Sequence, residues 1–150
     1  MVWAGISYNG RTDLHVFKNG TVNGQRYRDE ILAPYVVPYA GAVGQEFILM
    51  DDNATANRAR YVNAYLEDQG IHRMYWPAWS PDLNPIEHAW DMLQRRVSAR
   101  QPKPPTRAEL AATLIEEWGM IPQFDICKLI RSFPTRIRYV IQARGGNTRF

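Results

Sequence analysis

Two spacings of apolar residues run along this chain, and together they predict strands that alternate with helices. The runs "VWAGIS" (2–7) and "DLHVFK" (13–18) are rich in strand-forming residues, and Asn9-Gly10 between them is a turn pair typical of a β-hairpin. The run "EFILMD" (46–51) is apolar and ends in acids, which predicts a strand buried on both faces. The run "IHRMYW" (71–76) is a further strand candidate.

Helical spacing fills the stretches that follow the hairpin and separate the later strands. Residues 23–40 place aromatic and apolar side chains at helical spacing, although Pro34 and Pro38 are expected to bend or break that helix. Residues 57–70 show a second amphipathic pattern, for which Gly70 is the expected stop.

The best-defined helix start lies in "WSPDLNPIEHAW" (79–90). Asn84 is a residue type that caps helices, and Pro85 suits the first helical position because that position needs no backbone N–H. A helix over residues 84–100 with one apolar stripe is therefore predicted.

A proline-rich linker, "RQPKPP" (100–105), separates this helix from an all-helical tail. Thr106 and Glu109 are spaced as a capping box that opens the next helix, and two short helices follow, the last stopped by Gly145-Gly146. Strand–helix–strand alternation before the linker predicts an α/β fold with parallel central strands. Functional residues in such sheets gather at the carboxyl ends of the strands.

Composition narrows the class of protein. The 150 residues suit one domain, and a hydrophobic content of 45% is globular. No apolar run approaches the roughly 20 residues of a membrane span, and no secretory signal begins the chain, so we expect a soluble protein without a membrane partner. The single cysteine, Cys127, cannot form an internal disulfide, which fits a reducing compartment, and no Cys/His zinc spacing occurs.

The net charge of +3 is unevenly distributed. Six of the 18 Lys and Arg residues lie between Ile126 and Phe150, where there is no acid, so the rest of the chain has 12 cations and 15 acids. A basic end on an acidic body suggests a polyanionic partner. A solvated basic helix face explains the same pattern, and charge alone does not decide between them.

Acids end the strand predicted over 46–51 and open the helix predicted over 84–100. Because successive strand residues point to opposite faces, Asp51 and Asp52 cannot both face one site. Glu87 lies at the edge of its helix that meets the sheet, so its carboxylate could turn toward Asp52. Two such oxygen ligands suit Mg²⁺ or Mn²⁺. The alternative is a pair of acids that begins a loop, and a Glu favoured by the helix dipole.

Two segments resemble the signatures of mariner-type DDE transposases. "SPDLNPIEHAWDMLQRRV" is similar to the segment around the third acidic residue of that family, and "FILMDDNA" to the segment around the second. On this match Asp52 and Glu87 are catalytic residues and Asp51 is not. The 34 residues between Asp52 and Glu87 are the spacing of the branch that ends in Glu. "MVWAGIS", "LHVFKNGTVNGQRY" and "RIRYVIQARGGNTRF" also resemble family segments in order.

The resemblance implies a ribonuclease-H-like mixed sheet flanked by helices, without its first strand and with a helical C-terminal tail. Residues 1–100 would form a partial catalytic domain, and residues 101–150 the tail of that domain. The implied activity is DNA cleavage and strand transfer at transposon ends, with two Mg²⁺ or Mn²⁺ ions held by three carboxylates, among them Asp52 and Glu87. The implied partners are transposon-end and target DNA, and the implied location is the nucleus.

The chain also departs from the family pattern. The family's first catalytic Asp lies upstream of the segment matching residues 1–7, so we expect this chain to lack that Asp and the N-terminal helix-turn-helix modules. Asp13 lies nearby, but the family has no ligand there. Asn57 stands where relatives commonly have His, which puts the local ion or substrate environment in doubt. Without the first strand, unpaired strand edges predict a homodimer, aggregation, or folding with a partner.

Six arginines are candidate DNA contacts, because they follow Glu87 on its helix or lie in the basic end of the chain: Arg95, Arg96, Arg100, Arg136, Arg138 and Arg144. They can equally be ordinary exposed helix cations. Two functions therefore stay open. One is a metal-dependent transposase fragment, and the other is a non-catalytic remnant that binds nucleic acid.

Overall fold

The computed structural model describes residues 1–77 and 80–143. The described residues form two compact units, one of residues 1–3 and 17–77, the other of residues 4–16 and 80–143. The strands of the described residues are β1 (Val2–Trp3), β2 (His15–Val16), β3 (Ile48–Leu49) and β4 (His72–Arg73). Their α-helices are α1 (Gly24–Arg26), α2 (Val37–Val43), α3 (Arg60–Asp68), α4 (Pro85–Ser98), α5 (Arg107–Gly119), α6 (Gln123–Arg131) and α7 (Phe133–Gln142).

The predicted hairpin is confirmed by the contacts around its turn, which lie in the second unit. Ile6 and Arg11 form an antiparallel bridge. Inside that bridge the Ser7 N–H donates to the Gly10 carbonyl at 2.8 Å. The turn therefore contains Asn9 and Gly10, as the sequence predicts.

Prolines do not break the helix predicted over residues 23–40. A π-helix, Tyr27–Val36, joins α1 to α2 without a gap. The Val37 N–H donates to the Leu32 carbonyl, five residues back instead of four. A proline in an α-helix removes the bond to residue i−4 and its ring meets that carbonyl, whereas a π-helix pairs residues five apart. Pro34 thus changes the hydrogen-bonding pattern without ending the helix.

The strands β3 and β4 form a parallel pair, which confirms the predicted parallel arrangement. Ile48 lies opposite His72 and Leu49 opposite Arg73. The expectation that this strand is buried on both faces is wrong, because Leu49 is 8% exposed and Ile48 is 55% exposed. Side chains alternate between the faces of a strand, so only the face carrying Leu49 packs into the unit's core.

The core of the first unit forms where the π-helix and α3 meet the strand pair. The helix predicted over residues 57–70 is α3, whose buried residues are Val62 and Leu66, and Gly70 has the positive φ of 65° expected of a stop. The buried cluster comprises Phe17, Tyr27, Ile31, Leu32, Val36, Leu49, Val62, Leu66 and Ile71. This core supports the end of β3, where the candidate acids lie.

The predicted start of α4 is confirmed by its N-cap and by the position of its proline. The Asn84 side chain accepts a hydrogen bond from the Ile86 N–H, and Pro85 occupies the first helical position. Because the first backbone N–H groups of a helix lack internal partners, this cap satisfies one of them. Glu87 lies in the first turn that follows.

We expect Asn84→Ala to lower the free energy of unfolding by about 1 kcal/mol, because the substitution removes the side chain that caps α4. Asn84 is 8% exposed, so water cannot readily replace it. Urea unfolding followed by circular dichroism measures the change. Asn84→Asp is the matched control, since it keeps an acceptor oxygen and should stay within about 0.5 kcal/mol of the unmutated chain. Equal losses in both variants would contradict the capping role.

The described part of the tail is helical, as predicted, and consists of α5, α6 and α7. The Trp118 Nε1 on α5 donates to the Thr12 carbonyl at 2.9 Å. The Arg11 guanidinium donates to the carbonyl of Gly119, at 2.7 Å, and to that of Ile121. These bonds attach the hairpin to the helices. The predicted stop at Gly145-Gly146 lies outside the described residues. No helix within residues 1–77 and 80–143 is long and apolar enough to cross a membrane.

Candidate active site

Asp52 lies just beyond the carboxyl end of β3, in the first unit, and its side chain is exposed. Its Oδ1 accepts hydrogen bonds from the Ala54 N–H at 3.0 Å and from the Asn57 Nδ2 at 2.8 Å. Among the described residues none donates to Oδ2. The carboxylate is therefore oriented by its own loop and keeps one oxygen for an external ligand.

Asn57, which the resemblance matches to a His position of the family, thus contacts the predicted catalytic Asp directly. An amide N–H₂ can donate to a carboxylate without titrating. Asn57 therefore helps to orient Asp52. The sequence alone did not show what replaces the family's His in this position, and the structure shows an amide that is hydrogen-bonded to the acid.

Asp51 differs from Asp52 as the alternation of strand side chains predicts. Its side chain is 8% exposed, and its Oδ1 lies 3.2 Å from an Arg58 nitrogen and 3.3 Å from the Arg73 Nε. The Tyr27 hydroxyl donates to its Oδ2 at 3.3 Å. Burial raises the pKa of Asp51, while the two guanidinium groups oppose that shift. Asp51 is therefore a buried acid whose carboxylate faces two guanidinium groups and the Tyr27 hydroxyl instead of solvent.

Glu87 lies in the second unit, in the first turn of α4, and its side chain is exposed. Its role as a ligand stays a prediction from the resemblance. Exposed carboxylate oxygens are the ligand type that Mg²⁺ and Mn²⁺ take, so the chemistry of Asp52 and Glu87 fits a divalent ion. Within residues 1–77 and 80–143 no three His, Cys, Asp or Glu side chains form a group that could hold a metal ion.

The six candidate DNA-binding arginines have different surroundings. Arg95 and Arg138 are exposed. Arg136 is 2% exposed and donates to the Leu129 carbonyl at 3.0 Å, so its guanidinium does not face solvent. Arg144 lies outside the described residues. Phosphate contact stays a prediction for the whole set, and exposure favours Arg95 and Arg138.

Arg96 and Arg100 converge on Glu117, a carboxylate that is 5% exposed. The Arg96 Nε lies 2.8 Å from Glu117 Oε2, and the Arg100 Nε donates to Oε1. This network joins α4 to α5 and holds the pKa of Glu117 below its ordinary value, chiefly through the hydrogen bond from Arg100. Both arginines thus serve the packing of the second unit.

We expect the second unit to lose stability in acid through Glu117. A carboxylate whose pKa is depressed on folding stabilises the fold fully above its unfolded pKa, about 4.3 for Glu, and loses that contribution as pH falls through the lower folded value. Thermal unfolding between pH 7 and pH 3 measures this. Glu117→Gln should flatten the acid limb, whereas Glu116→Gln, at a side chain 58% exposed, should leave it nearly unchanged. Parallel limbs in all three proteins would contradict the assignment.

Sequence reasoning missed the partners of Asp51 and Asn53, the two residues that flank Asp52 in the chain. Arg58 contacts both of them, and Arg73 reaches Asp51 from β4. Arg73 is the only Lys, Arg, Asp or Glu in the strand run "IHRMYW", and such an arginine indicates that an acid lies nearby, so this partner could have been predicted. Arg58 carried no such signal, because its contacts depend on how the loop folds back.

Comparison with known proteins places the chain in a family. Residues 1–110 match the DDE superfamily endonuclease family. The chain is 30% identical over 149 residues to the transposable element Tc3 transposase of Caenorhabditis elegans, covering 97% of this chain and 44% of that protein. It is 36% identical over 109 residues to the transposable element Tc1 transposase of the same organism, covering 72% of this chain and 39% of that protein. The chain thus spans less than half the length of either relative.

The fold is similar to that in the crystal structure of the catalytic domain of the Mos1 mariner transposase. The TM-score is 0.83 at 21% identity, with 98% of this chain and 74% of that chain covered. This similarity confirms the predicted α/β, ribonuclease-H-like fold. Because the family match covers most of the chain and includes both Asp52 and Glu87, the chain belongs to the DDE superfamily endonucleases, among the transposase relatives that the sequence resemblance predicted.

Proposed function

We propose that this chain is part of a transposase catalytic domain, and that the protein to which it belongs cleaves DNA at transposon ends and joins it to a target. The observation that carries the proposal is the family match over residues 1–110, which includes both predicted ligands. Relatives that align with nearly the whole chain are transposases of transposable elements.

In this proposal Asp52 and Glu87 are the chain's metal ligands. Two divalent ions, when bound, would activate the attacking oxygen and stabilise the leaving oxygen of the phosphodiester. The Mos1 catalytic domain has been solved with Mn and with Mg, which supports divalent-ion use in the family. The chain's own contribution is to orient Asp52, whose Oδ1 is tied to its loop while Oδ2 accepts no bond from the described residues.

The proposed partner is DNA. Mos1 has been solved as a paired-end complex with the left transposon end, which supports transposon-end DNA as the partner class and fits a homodimer. Arg95 and Arg138 would contact phosphates, since both side chains are exposed and cationic. A protein that acts on chromosomal transposon ends would work in the nucleus, and we propose that location on this ground.

The test is a calorimetric titration of the purified chain with MnCl₂, after circular dichroism has established that the chain is folded. Saturable binding is expected, and it should be reversed by EDTA. A folded chain that takes up no Mn²⁺ would contradict the metal-ligand proposal for this chain. Salt-sensitive DNA binding without Mn²⁺ uptake would instead support the non-catalytic remnant.

A further inference from the structure

One guanidinium group holds both neighbours of Asp52 in the chain. An Arg58 terminal nitrogen lies 3.2 Å from Asp51 Oδ1, and the Arg58 Nε donates to Asn53 Oδ1 at 3.0 Å. We propose that Arg58 is a positioning residue that clamps residues 51–53 and thereby orients the Asp52 carboxylate for a divalent cation. The proposal rests on the proposed function, in which Asp52 is a metal ligand.

The two residues that Arg58 holds are themselves fixed to the frame of the first unit. Asp51 is also contacted by Arg73 of β4, at 3.3 Å, and by the Tyr27 hydroxyl, at 3.3 Å. Asn53 donates through its Nδ2 to the Trp76 carbonyl at 3.0 Å. Arg58 is therefore the bridge between two anchored points, and the residue between them has little freedom to move.

Asp52 itself is oriented from the same turn. The Asn57 Nδ2 donates to Asp52 Oδ1 at 2.8 Å, and Asn57 is the chain neighbour of Arg58. When Arg58 is held by Asp51 and Asn53, Asn57 is placed to reach Asp52. Residues that orient a ligand in this way contribute to metal affinity, because the ligand does not need to be ordered when the ion binds.

The contacts of Arg58 also distinguish Asp51 from Asp52 as a possible ligand for a cation. The guanidinium groups of Arg58 and Arg73 lie 3.2 and 3.3 Å from the buried Asp51 Oδ1, and the Tyr27 hydroxyl donates to its Oδ2. Asp51 therefore does not compete with Asp52, although the two are neighbours and chemically alike. The clamp uses the extended guanidinium group of arginine, whose Nε donates to Asn53 while a terminal nitrogen lies within ion-pair distance of Asp51.

The test compares Arg58→Lys with Arg60→Lys in the full chain. Lysine keeps the charge but is a point donor, so Arg58→Lys should lose the bridge. Arg60 is exposed at the start of α3 and serves as the matched control. Three quantities are measured: the thermal midpoint, the Mn²⁺ affinity by calorimetry, and hydrogen exchange of the Ala54 amide, whose N–H donates to Asp52 Oδ1.

Arg58→Lys is expected to speed Ala54 amide exchange about five- to tenfold and to weaken Mn²⁺ binding about tenfold. The thermal midpoint and the exchange of core amides such as that of Val62 should change little. Arg60→Lys should match the unmutated chain in all three. A purely structural role would move the midpoint and the core amides together with Ala54, and this result would overturn the proposal.

The remaining outcomes separate the clamp from the metal site. Unchanged Ala54 exchange in Arg58→Lys would overturn the clamp whatever the metal result. Faster Ala54 exchange with unchanged Mn²⁺ affinity would overturn the proposal that Arg58 orients Asp52 for a cation. Faster exchange in a chain that binds no Mn²⁺ before mutation would uphold the clamp as an orienting device and contradict the proposed metal function instead.

Discussion

Asp52→Asn and Glu87→Gln are each expected to weaken Mn²⁺ binding by more than about a hundredfold, to below detection by calorimetry. Substitutions of residues that merely support a ligand cost about 10- to 100-fold in metal affinity, so removal of a charged ligand should cost more. Both changes replace a carboxylate by an amide of nearly equal size. Neither carboxylate is buried in the described structure, so little stability should be lost.

Two exposed acids provide matched controls for these variants. Asp13→Asn and Glu46→Gln make the same chemical changes at exposed positions, and both should bind Mn²⁺ as the unmutated chain does. The Asp13 control also examines the one nearby acid that could stand in for the family's first Asp. If Asp52→Asn alone lost binding while Glu87→Gln kept it, the two residues would not share the ion. Loss in Asp13→Asn would make Asp13 a ligand against expectation.

Ile31→Ala is expected to lower the free energy of unfolding by about 2–5 kcal/mol. Ile31 is 0% exposed and belongs to the core cluster of the first unit. Removing three carbons there loses apolar burial and leaves a cavity that close-packed neighbours fill only in part. Urea denaturation, followed by circular dichroism and by tryptophan fluorescence, measures the change.

Ile48→Ala is the control, since it is the same substitution at a side chain 55% exposed. Its cost should stay below about 1 kcal/mol. The comparison also examines the side of β3 that the sequence predicted to be buried. A cost at Ile48 as large as that at Ile31 would mean that this face is covered in solution, for example by a second copy of the chain.

Local features of the candidate site were predictable because they depend on neighbours in the chain. The start of α4 follows from Asn84 and Pro85, whose backbone preferences act within one turn. The opposite surroundings of Asp51 and Asp52 follow from the alternation of a strand. The family followed from the segments around Asp52 and Glu87, because that combination and its spacing are specific.

Features that depend on distant contacts were not predictable in the same way. The apolar run around β3 predicted burial on both faces, yet burial depends on what covers each face, and Ile48 is largely exposed. The prediction of DNA-binding arginines rested on their charge and their position in the chain. Charge alone did not reveal that Arg96 pairs with a buried Glu117, 21 residues away in the chain, or that Arg136 is buried.

By itself the sequence determined the hairpin turn, the parallel pairing of two strands, the start of the helix that carries Glu87 and membership of the endonuclease family. The turn, the strand pairing and the helix start follow from backbone preferences and from the order and periodicity of the elements, and family membership follows from the segments around Asp52 and Glu87. Only the tertiary structure decided that Arg58 joins Asp51 to Asn53 around Asp52. A guanidinium pairs with whichever acceptors the fold brings within about 3 Å, and linear order does not specify them.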